Sequence, residues 1–416
     1  MTIGLLVDEI TLGEILIYSS LKRRSTNIRL IDATDSFSNT EKIISEDPEL
    51  KCVINRVTRK NLRIFYSEIL KNRGIKVLNP FEIEYVSNSK LRAKLAFSTH
   101  QVRTARFAII PKFPIEQYSI GRLARHDRVE EIAAFLEAEV GFPAILKPSE
   151  GSRGKSILIV NSREDFVAQC RKYRTIDEIL KVPYALYQTL SNPVGLFAEE
   201  FIPHAFDLRI LISMKGNSVK CLGCLARVGR EEAEVAKNTA LGSIPVGVEI
   251  PKSYEDAAAN GLMAVVSYVE KMWGTSPDCC LVGVDIIPRC DDAEARREIY
   301  SLAKAISPFK DKHIEQAKKL LNVTLRKLLK TYGKNFDAIL EDKGFINVWK
   351  HLDSTFREFQ SLDGYNRLQE GINRVLETSE PYICELNTRV DFEVNTRNLS
   401  IPNLHEIMAE LVATWS

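Results

Sequence analysis

Two periods of apolar spacing alternate along the first part of the chain. IGLLVD (3–8), IRLID (28–32), KCVINR (51–56) and IKVLN (75–79) are short apolar runs, and each predicts a strand. Between them, LGEILIYSSLKRR and NLRIFYSEILKNRG carry apolar residues at helical spacing, the second closed by Gly74. The polar stretch after IRLID reads as a loop. This βαβαβ order predicts a small doubly wound domain over residues 1–88. A second region, 89–198, opens on the basic helix SKLRAKLAFSTHQV. It passes through the acidic helix RVEEIAAFLEAEVG into a hairpin within FPAILKPSEGSRGKSILIV. The third, 199–416, carries strand patterns in LFAEEFI, DLRILISMKG, SVKCLGCLARV and CCLVGVDIIP, with a long helix before the last. From about 289 to 379 helical spacing takes over, as at Leu325, Leu328 and Leu329 or Leu368, Ile372 and Val375. Acids and bases are about equal there, which predicts inserted amphipathic helices. The strand PYICEL and the helix NLHEIMAELVATW follow. The fold class expected is α/β in the broad, α+β sense.

Composition narrows the class. With 416 residues, 45% hydrophobic and 27% charged, the chain predicts a soluble protein of two or three domains. A net charge of +2 gives no global case for nucleic acid or a membrane surface. No apolar run approaches the roughly 20 residues that cross a bilayer, and MTIGLLVDEI lacks the basic start of a signal peptide. The expected location is cytoplasmic. Cys221 and Cys224 have CxxC spacing, but neither a second pair nor a nearby His completes a zinc site, so packed thiols are expected.

Several polar groups stand inside apolar runs. In PYICELNTRVDFEVN (381–395), period-two alternation puts Glu385 and Asn387 on one face. Asp285 interrupts LVGVDIIP, and a buried carboxylate is costly unless it is paired or binds a cation. Asp285, Glu385 and Asn387 make an all-oxygen set suited to magnesium rather than zinc. In ILKPSEGSRGKSILIV, amides freed by Gly151 and Gly154, around Ser152, can close over phosphate oxygens above Lys147. It is not a P-loop: Ser149 stands where the first glycine belongs, and SILIV is strand-like. In LFAEEFIPHAFDLRILI the acids Glu199 and Glu200 interrupt a strand. The backbone near Phe201 and Ile202, with Glu199, can meet an adenine edge, and Asp207 suits ribose hydroxyls. An Asp207–Arg209 surface pair is the alternative.

Taken in order, these segments resemble ATP-grasp ligases, and more narrowly the branch of the ribosomal-protein glutamate ligase and the amino-group-carrier-protein ligase of lysine and arginine biosynthesis. GIKVLNPFEIEYVSNSK is similar to that branch's segment ending in the first nucleotide lysine, here Lys90. AILKPSEGSRGKS resembles its phosphate flap, with Lys147 as the second lysine. AEEFI looks like the adenine hinge and Asp207 the ribose carboxylate. DLR and LAR carry Arg209 and Arg227 to positions along the phosphates and the acyl intermediate. KNTALGS resembles the substrate segment NTARGG, which implies substrate contacts at Asn238, Thr239 and Gly242. CELNTRVDFE resembles the metal strand. Ser89 departs from the usual acid, and Leu241 and Ser243 from the Arg and second Gly of the carrier ligases. The resemblance implies a three-subdomain fold whose central lid spans 89–198, a cytoplasmic homo-oligomer, ATP, and two magnesium ions for which manganese can substitute. It implies amide formation through an acyl phosphate, joining an amino acid to a small acidic, glutamate-bearing carrier protein or peptide. A ligase of small amino acids or peptides, and a non-catalytic ATP-binding sensor or scaffold, stay open as alternatives.

Overall fold

A computed structural model describes residues 2–24, 27–110, 129–149, 157–172, 196–232, 242–390 and 403–414. Its first sheet is parallel, with β1 (Thr2–Val7), β2 (Asn27–Asp32), β3 (Leu50–Asn55) and β4 (Lys76–Leu78) in the order β2-β1-β3-β4. β1 is buried along its whole length, as a strand covered on both faces must be. Leu6 packs with Ile44, Tyr66 and Leu70 of the helices Phe37–Ser45 and Lys60–Asn72. Its neighbours Leu5 and Val7 point the other way, towards Met408 and Val412 of the helix Leu404–Ala413. The polar stretch expected as a loop holds the helix Phe37–Ser45. It buries only Thr40 and Ile44, an apolar stripe too thin to read, and Ser36 caps it by accepting from the Asn39 amide.

The second sheet is antiparallel: β5 (Phe107–Ile109), β6 (Ala144–Pro148), β7 (Leu158–Val160) and β8 (Leu196–Glu200), in the order β5-β8-β6-β7. The β6–β7 pairing is the hairpin expected around the glycine-containing loop, with Ala144 opposite Val160. Ile132, Leu136 and Phe166 from the helices Val129–Glu139 and Arg163–Lys172 close one face.

The third sheet, also antiparallel, contains β9 (Phe206–Lys215), β10 (Ser218–Val228), β11 (Ile244–Val248), β12 (Cys279–Pro288) and β13 (Pro381–Asn387), ordered β11-β10-β9-β12-β13. Leu211, Leu225 and Leu281 on one face meet the parallel sheet's core. Ile210, Ile212, Val282 and Val284 on the other pack against the helices Lys90–Thr99 and Lys252–Trp273. The latter helix approaches β13 closely at Gly261, where a Cβ would stand 2.6 Å from Ile383 Cδ1. Gly261→Val should therefore lower stability by about 1–3 kcal/mol, read as a reduced urea midpoint; an unchanged midpoint would show that the contact relaxes freely.

Between β12 and β13 the chain runs through the helices Ala293–Phe309, Glu315–Tyr332, Phe336–Glu341, Lys343–Gln360 and Asp363–Thr378. The two strands still pair directly, Asp285 opposite Glu385, so this helical excursion returns to its starting point. It also covers the open edge of β11: Tyr365 Oη accepts from the Gly247 amide at 3.1 Å, and Gln369 donates to the Gly247 carbonyl at 2.6 Å. Among the described residues no helix is long and apolar enough to cross a membrane.

Candidate active site

Strand register brings the chemistry together. Asp285 on β12 lies opposite Glu385 on β13 and Arg209 on β9, and Asp207 lies opposite Arg227 on β10. Opposed residues share a face, and alternation adds Asn387 and Gly283 to it. Arg209 grips Asp285 with two bonds of 2.8 Å. Arg227 reaches the same carboxylate at 3.0 Å and Asp207 at 2.5 Å. Gly283 leaves the floor open beneath Arg209, whose Cδ would stand 3.2 Å from a Cβ there. Asn387 Nδ2 lies 3.1 Å from Asp285 Oδ2 and 3.4 Å from Glu385 Oε1.

Lysines close the site from two sides. The helix Lys90–Thr99, capped by Ser89, presents Lys90 to Glu385 at 3.5 Å, and the Lys90 amide donates to the Ser149 carbonyl at the end of β6. One turn on, Lys94 is 1% exposed and lies 2.8 Å from Glu199 Oε1. Lys147 pairs with the other oxygen of Glu199 and lies 4.0 Å from Cys384 Sγ. Half-buried Lys60, at the start of its helix, feels the charge of Lys90 and Glu385, and burial pulls its pKa down. Glu199, sequestered between two lysines, serves as their counter-ion. Lys94 and Lys60 were not among the residues singled out in the sequence. Spacing of four from Lys90 could have flagged Lys94; nothing local flags Lys60.

These neighbours set the protonation states. Burial opposes the charged form of Glu385, but Lys90, Lys60, Lys147 and Arg209 outweigh it and hold the carboxyl well below its usual range. Asp207 is pushed up to about 6 by burial, with Asp285 adding to the rise, against the pull of Arg227 and Arg209. Burial raises the Cys384 thiol to about 11 despite Lys147, so it stays protonated at neutral pH.

A buried latch holds β13 in place. Beyond Asn387 the chain passes Thr388, whose hydroxyl donates to Glu84 at 2.6 Å, while Glu84 accepts from Arg63 Nε at 2.9 Å. Asn79 clamps Thr388 O and both backbone groups of Leu281, and Arg56 donates to Val390 O at 3.0 Å. The parallel sheet and its helices thus position Glu385 and Asn387 through groups with no signature in the sequence.

Gly151, Ser152, Gly154, Asn238 and Thr239 lie outside the described residues. Glu200 pairs with Arg106 at 3.1 Å, the Phe201 amide donates to Pro143 O, and Ile202 O accepts from His204 Nδ1. Gly242, at φ +104, accepts from Arg230 Nε at 2.8 Å; Arg230 in turn holds Asp311, in the π-helical segment Lys310–Ile314 that joins two inserted helices, at 2.6 and 2.7 Å. Cys221 is exposed and Cys224 buried.

In chemical terms, six cations (Lys60, Lys90, Lys94, Lys147, Arg209 and Arg227) surround four carboxylates (Glu199, Asp207, Asp285 and Glu385). The excess of positive charge suits a polyphosphate. Two carboxylates and an amide converge as hard donors, and half a turn of Asn387 would present its Oδ1 in place of Nδ2. This donor set fits magnesium, with Asp285 shared between the ion and the guanidinium groups.

No protein-family model matches the chain, and neither does any curated protein. Among solved structures it is similar to carboxyaminoimidazole ribonucleotide synthase from Aspergillus clavatus complexed with ATP, at 14% identity and TM-score 0.42 over 70% of this chain and 67% of that one. It is similar to an L-amino acid ligase from Bacillus licheniformis at 12% identity and TM-score 0.46, over 70% of this chain and 65% of that one. A RimK-domain ATP-grasp protein from Sphaerobacter thermophilus gives 12% identity and TM-score 0.39, covering 69% and 86%. At these values the likeness bears on neither activity nor substrate.

Proposed function

We propose that this chain is an ATP-dependent carboxylate–amine ligase of the ATP-grasp type. The observation that carries this reading is the partly buried cationic cluster of Lys90, Lys147, Arg209 and Arg227 set against Asp285, Glu385 and Asn387. It offers charge stabilisation and no covalent nucleophile, which is what phosphoryl transfer asks of a protein. A substrate carboxylate oxygen attacks the γ-phosphorus of ATP and ADP leaves. An amine nitrogen then attacks the acyl carbon of the acyl phosphate, and phosphate leaves as the amide forms. Lys90 and Lys147 bind the phosphates, while Arg209 and Arg227 steady the acyl phosphate and its tetrahedral successor. This reading assigns Asp207 to the ribose and the backbone near Phe201 and Ile202 to adenine, with ATP exchanging for the bonds these groups make to Arg227, Pro143 and His204. A magnesium ion held by Glu385, Asn387 and Asp285 would neutralise charge on the phosphates.

For the carboxylate partner, the inserted helices favour an acidic protein or peptide. Balanced charge over the whole insert hides a local segregation. From Gln316 to Phe336 there are six lysines and arginines and no acid, and the exposed face of the helix Glu315–Tyr332 carries Lys319, Arg326, Lys327 and Lys330 around Leu320 and Val323. ADP release from magnesium–ATP should therefore need both an amino acid and a glutamate-terminated acidic peptide. The double substitution Arg326→Glu with Lys330→Glu should raise KM for the peptide and leave kcat within about twofold. Release with amino acids alone would point to a small-molecule ligase. ATP binding without release for any pair would favour the sensor.

A further inference from the structure

Lys60 and Lys94 take no part in holding phosphate in the proposed reaction, and of the two only Lys94 has a carboxylate against it, Glu199 at 2.8 Å. Lys60 opens the helix Lys60–Asn72, which packs on the parallel sheet through Tyr66 and Leu70. Two contacts fix its place. Asn61, the next residue, accepts at 3.4 Å from Nδ2 of Asn88, two residues before Lys90. Arg63, almost one turn further on, donates at 3.1 Å to Oγ1 of Thr388, the residue after Asn387. Lys60 therefore stands where the start of the Lys90 helix and the end of β13 meet. It is half-buried, so part of its surface stays open.

Each acid near Lys60 is already engaged. Glu84 accepts from Arg63 and from Thr388, and Glu385 pairs with Lys90. Lys90 and Arg63 repel the Lys60 ammonium, while Glu385 and Glu84 attract it from beyond ion-pair contact. Its own helix offers no acid in the first turn and no side-chain cap. Among the described residues this ammonium makes no hydrogen bond and no ion pair. A half-buried charge without a partner is costly, and an anionic ligand relieves that cost.

In-line transfer decides which anion that is. The attacking and leaving oxygens stand on opposite sides of the γ-phosphorus. Adenine is assigned to the backbone near Phe201 and Ile202, and the charges run on from there. Glu199 pairs with Lys147, Lys147 lies 4.0 Å from Cys384, and Glu385 beside it meets Lys90 at 3.5 Å, with Lys60 beyond. ADP leaves towards the adenine end, so the attacking carboxylate enters at the Lys60 end. We propose that Lys60 binds the acid substrate, its ammonium holding one carboxylate oxygen while the other attacks the γ-phosphorus. The proposal rests on the ligase reading and adds to it the contact that selects an acid. Lys60 transfers no proton: the oxygen–phosphorus bond forms as the bond to ADP breaks.

Steady-state kinetics of Lys60→Met in the full chain test this, with a glutamate-terminated acidic peptide, an amino acid and magnesium–ATP. KM for the peptide should rise about tenfold or more, the loss expected for one charged hydrogen bond. KM for ATP and the magnesium requirement should stay within about twofold, and Lys60→Arg should recover part of the loss. The urea midpoint of Lys60→Met should equal or exceed the parent's, because the charge removed had no partner. An unchanged peptide KM with a lower midpoint would make Lys60 a structural support. A rise in KM for ATP alone would make it a phosphate ligand, and a greater need for magnesium alone a partner of Glu385. Each of these overturns the proposal. If the parent releases no ADP with any pair, the ligase reading fails separately, and calorimetry of the peptide with the magnesium–ATP-bound chain decides. Binding weakened about tenfold or more in Lys60→Met keeps the carboxylate contact; equal binding, or none by either protein, removes it.

Discussion

Replacing Glu199 with leucine should destabilise the protein by about 3–5 kcal/mol at neutral pH, more than any other single change at the site. Lys94 and Lys147 are 1% and 5% exposed, and this carboxylate lies between them. Without it, two ammonium groups face each other out of water. One of them must shed its proton, so its folded-state pKa falls below that of the unfolded chain. The unfolded state then binds more protons, and stability of the variant rises with pH up to the ordinary lysine value of about 10.4. In the intact protein the same sign appears, but in the acid range. Burial raises the Glu199 pKa, but Lys147 and Lys94 outweigh it, and the net value is lowered. Its contribution is present above the unfolded carboxyl pKa and is lost as pH falls through the lower folded value. Urea unfolding at about pH 7 and pH 9.5 should show the gap between variant and parent narrowing at the higher pH. A Glu199→Leu protein within about 1 kcal/mol of the parent, with the same pH slope, would remove Glu199 as the shared counter-ion.

Glu199 also marks the limit of what the sequence disclosed. Two acids interrupting LFAEEFI were legible as an anomaly, because burial of charge inside a strand demands a partner. The partners were not legible: Lys94 lies 105 residues away in the chain and reaches Glu199 only because one helix crosses the junction of two sheets. Local patterns served well where a strand is covered on both faces, as β1 is, or where two strands on either side of a glycine-containing segment pair, as β6 and β7 do. They failed for the helix Phe37–Ser45, whose buried stripe is two residues wide. The face shared by Glu385 and Asn387 followed from alternation, and register then aligned Asp285 with Glu385 across two strands. The latch of Arg56, Arg63, Asn79 and Glu84 had no sequence signature. Each is an ordinary polar residue whose role exists only once the parallel sheet meets Thr388.

Replacing Glu385 with glutamine should lower ATP turnover by about 10²–10³-fold, the loss expected when one electrostatic group is removed from a phosphoryl-transfer site. The substitution keeps shape and leaves the contacts that fix β13 intact, so the protein should still fold, with a lower midpoint because the ionised carboxylate favours the folded state. Glu385 contributes through ionisation: burial disfavours its charge, while Lys90, Lys60, Lys147 and Arg209 hold it ionised far into the acid range. In the variant those cations lose a carboxylate, which leaves the cluster still more attractive to phosphate. ATP affinity should therefore persist or tighten at low magnesium, while turnover falls and more magnesium is needed to recover it. A group that served only to neutralise Lys90 would behave differently. Its loss would tighten ATP binding without changing the magnesium requirement, and Lys90→Met would restore turnover to the glutamine variant. Equal turnover in parent and variant, at any magnesium concentration, would sink the assignment of Glu385 as a metal ligand. The thermal midpoint separates both outcomes from misfolding, because the residues that fix β13 in place, Thr388 and its partners, are untouched by the change.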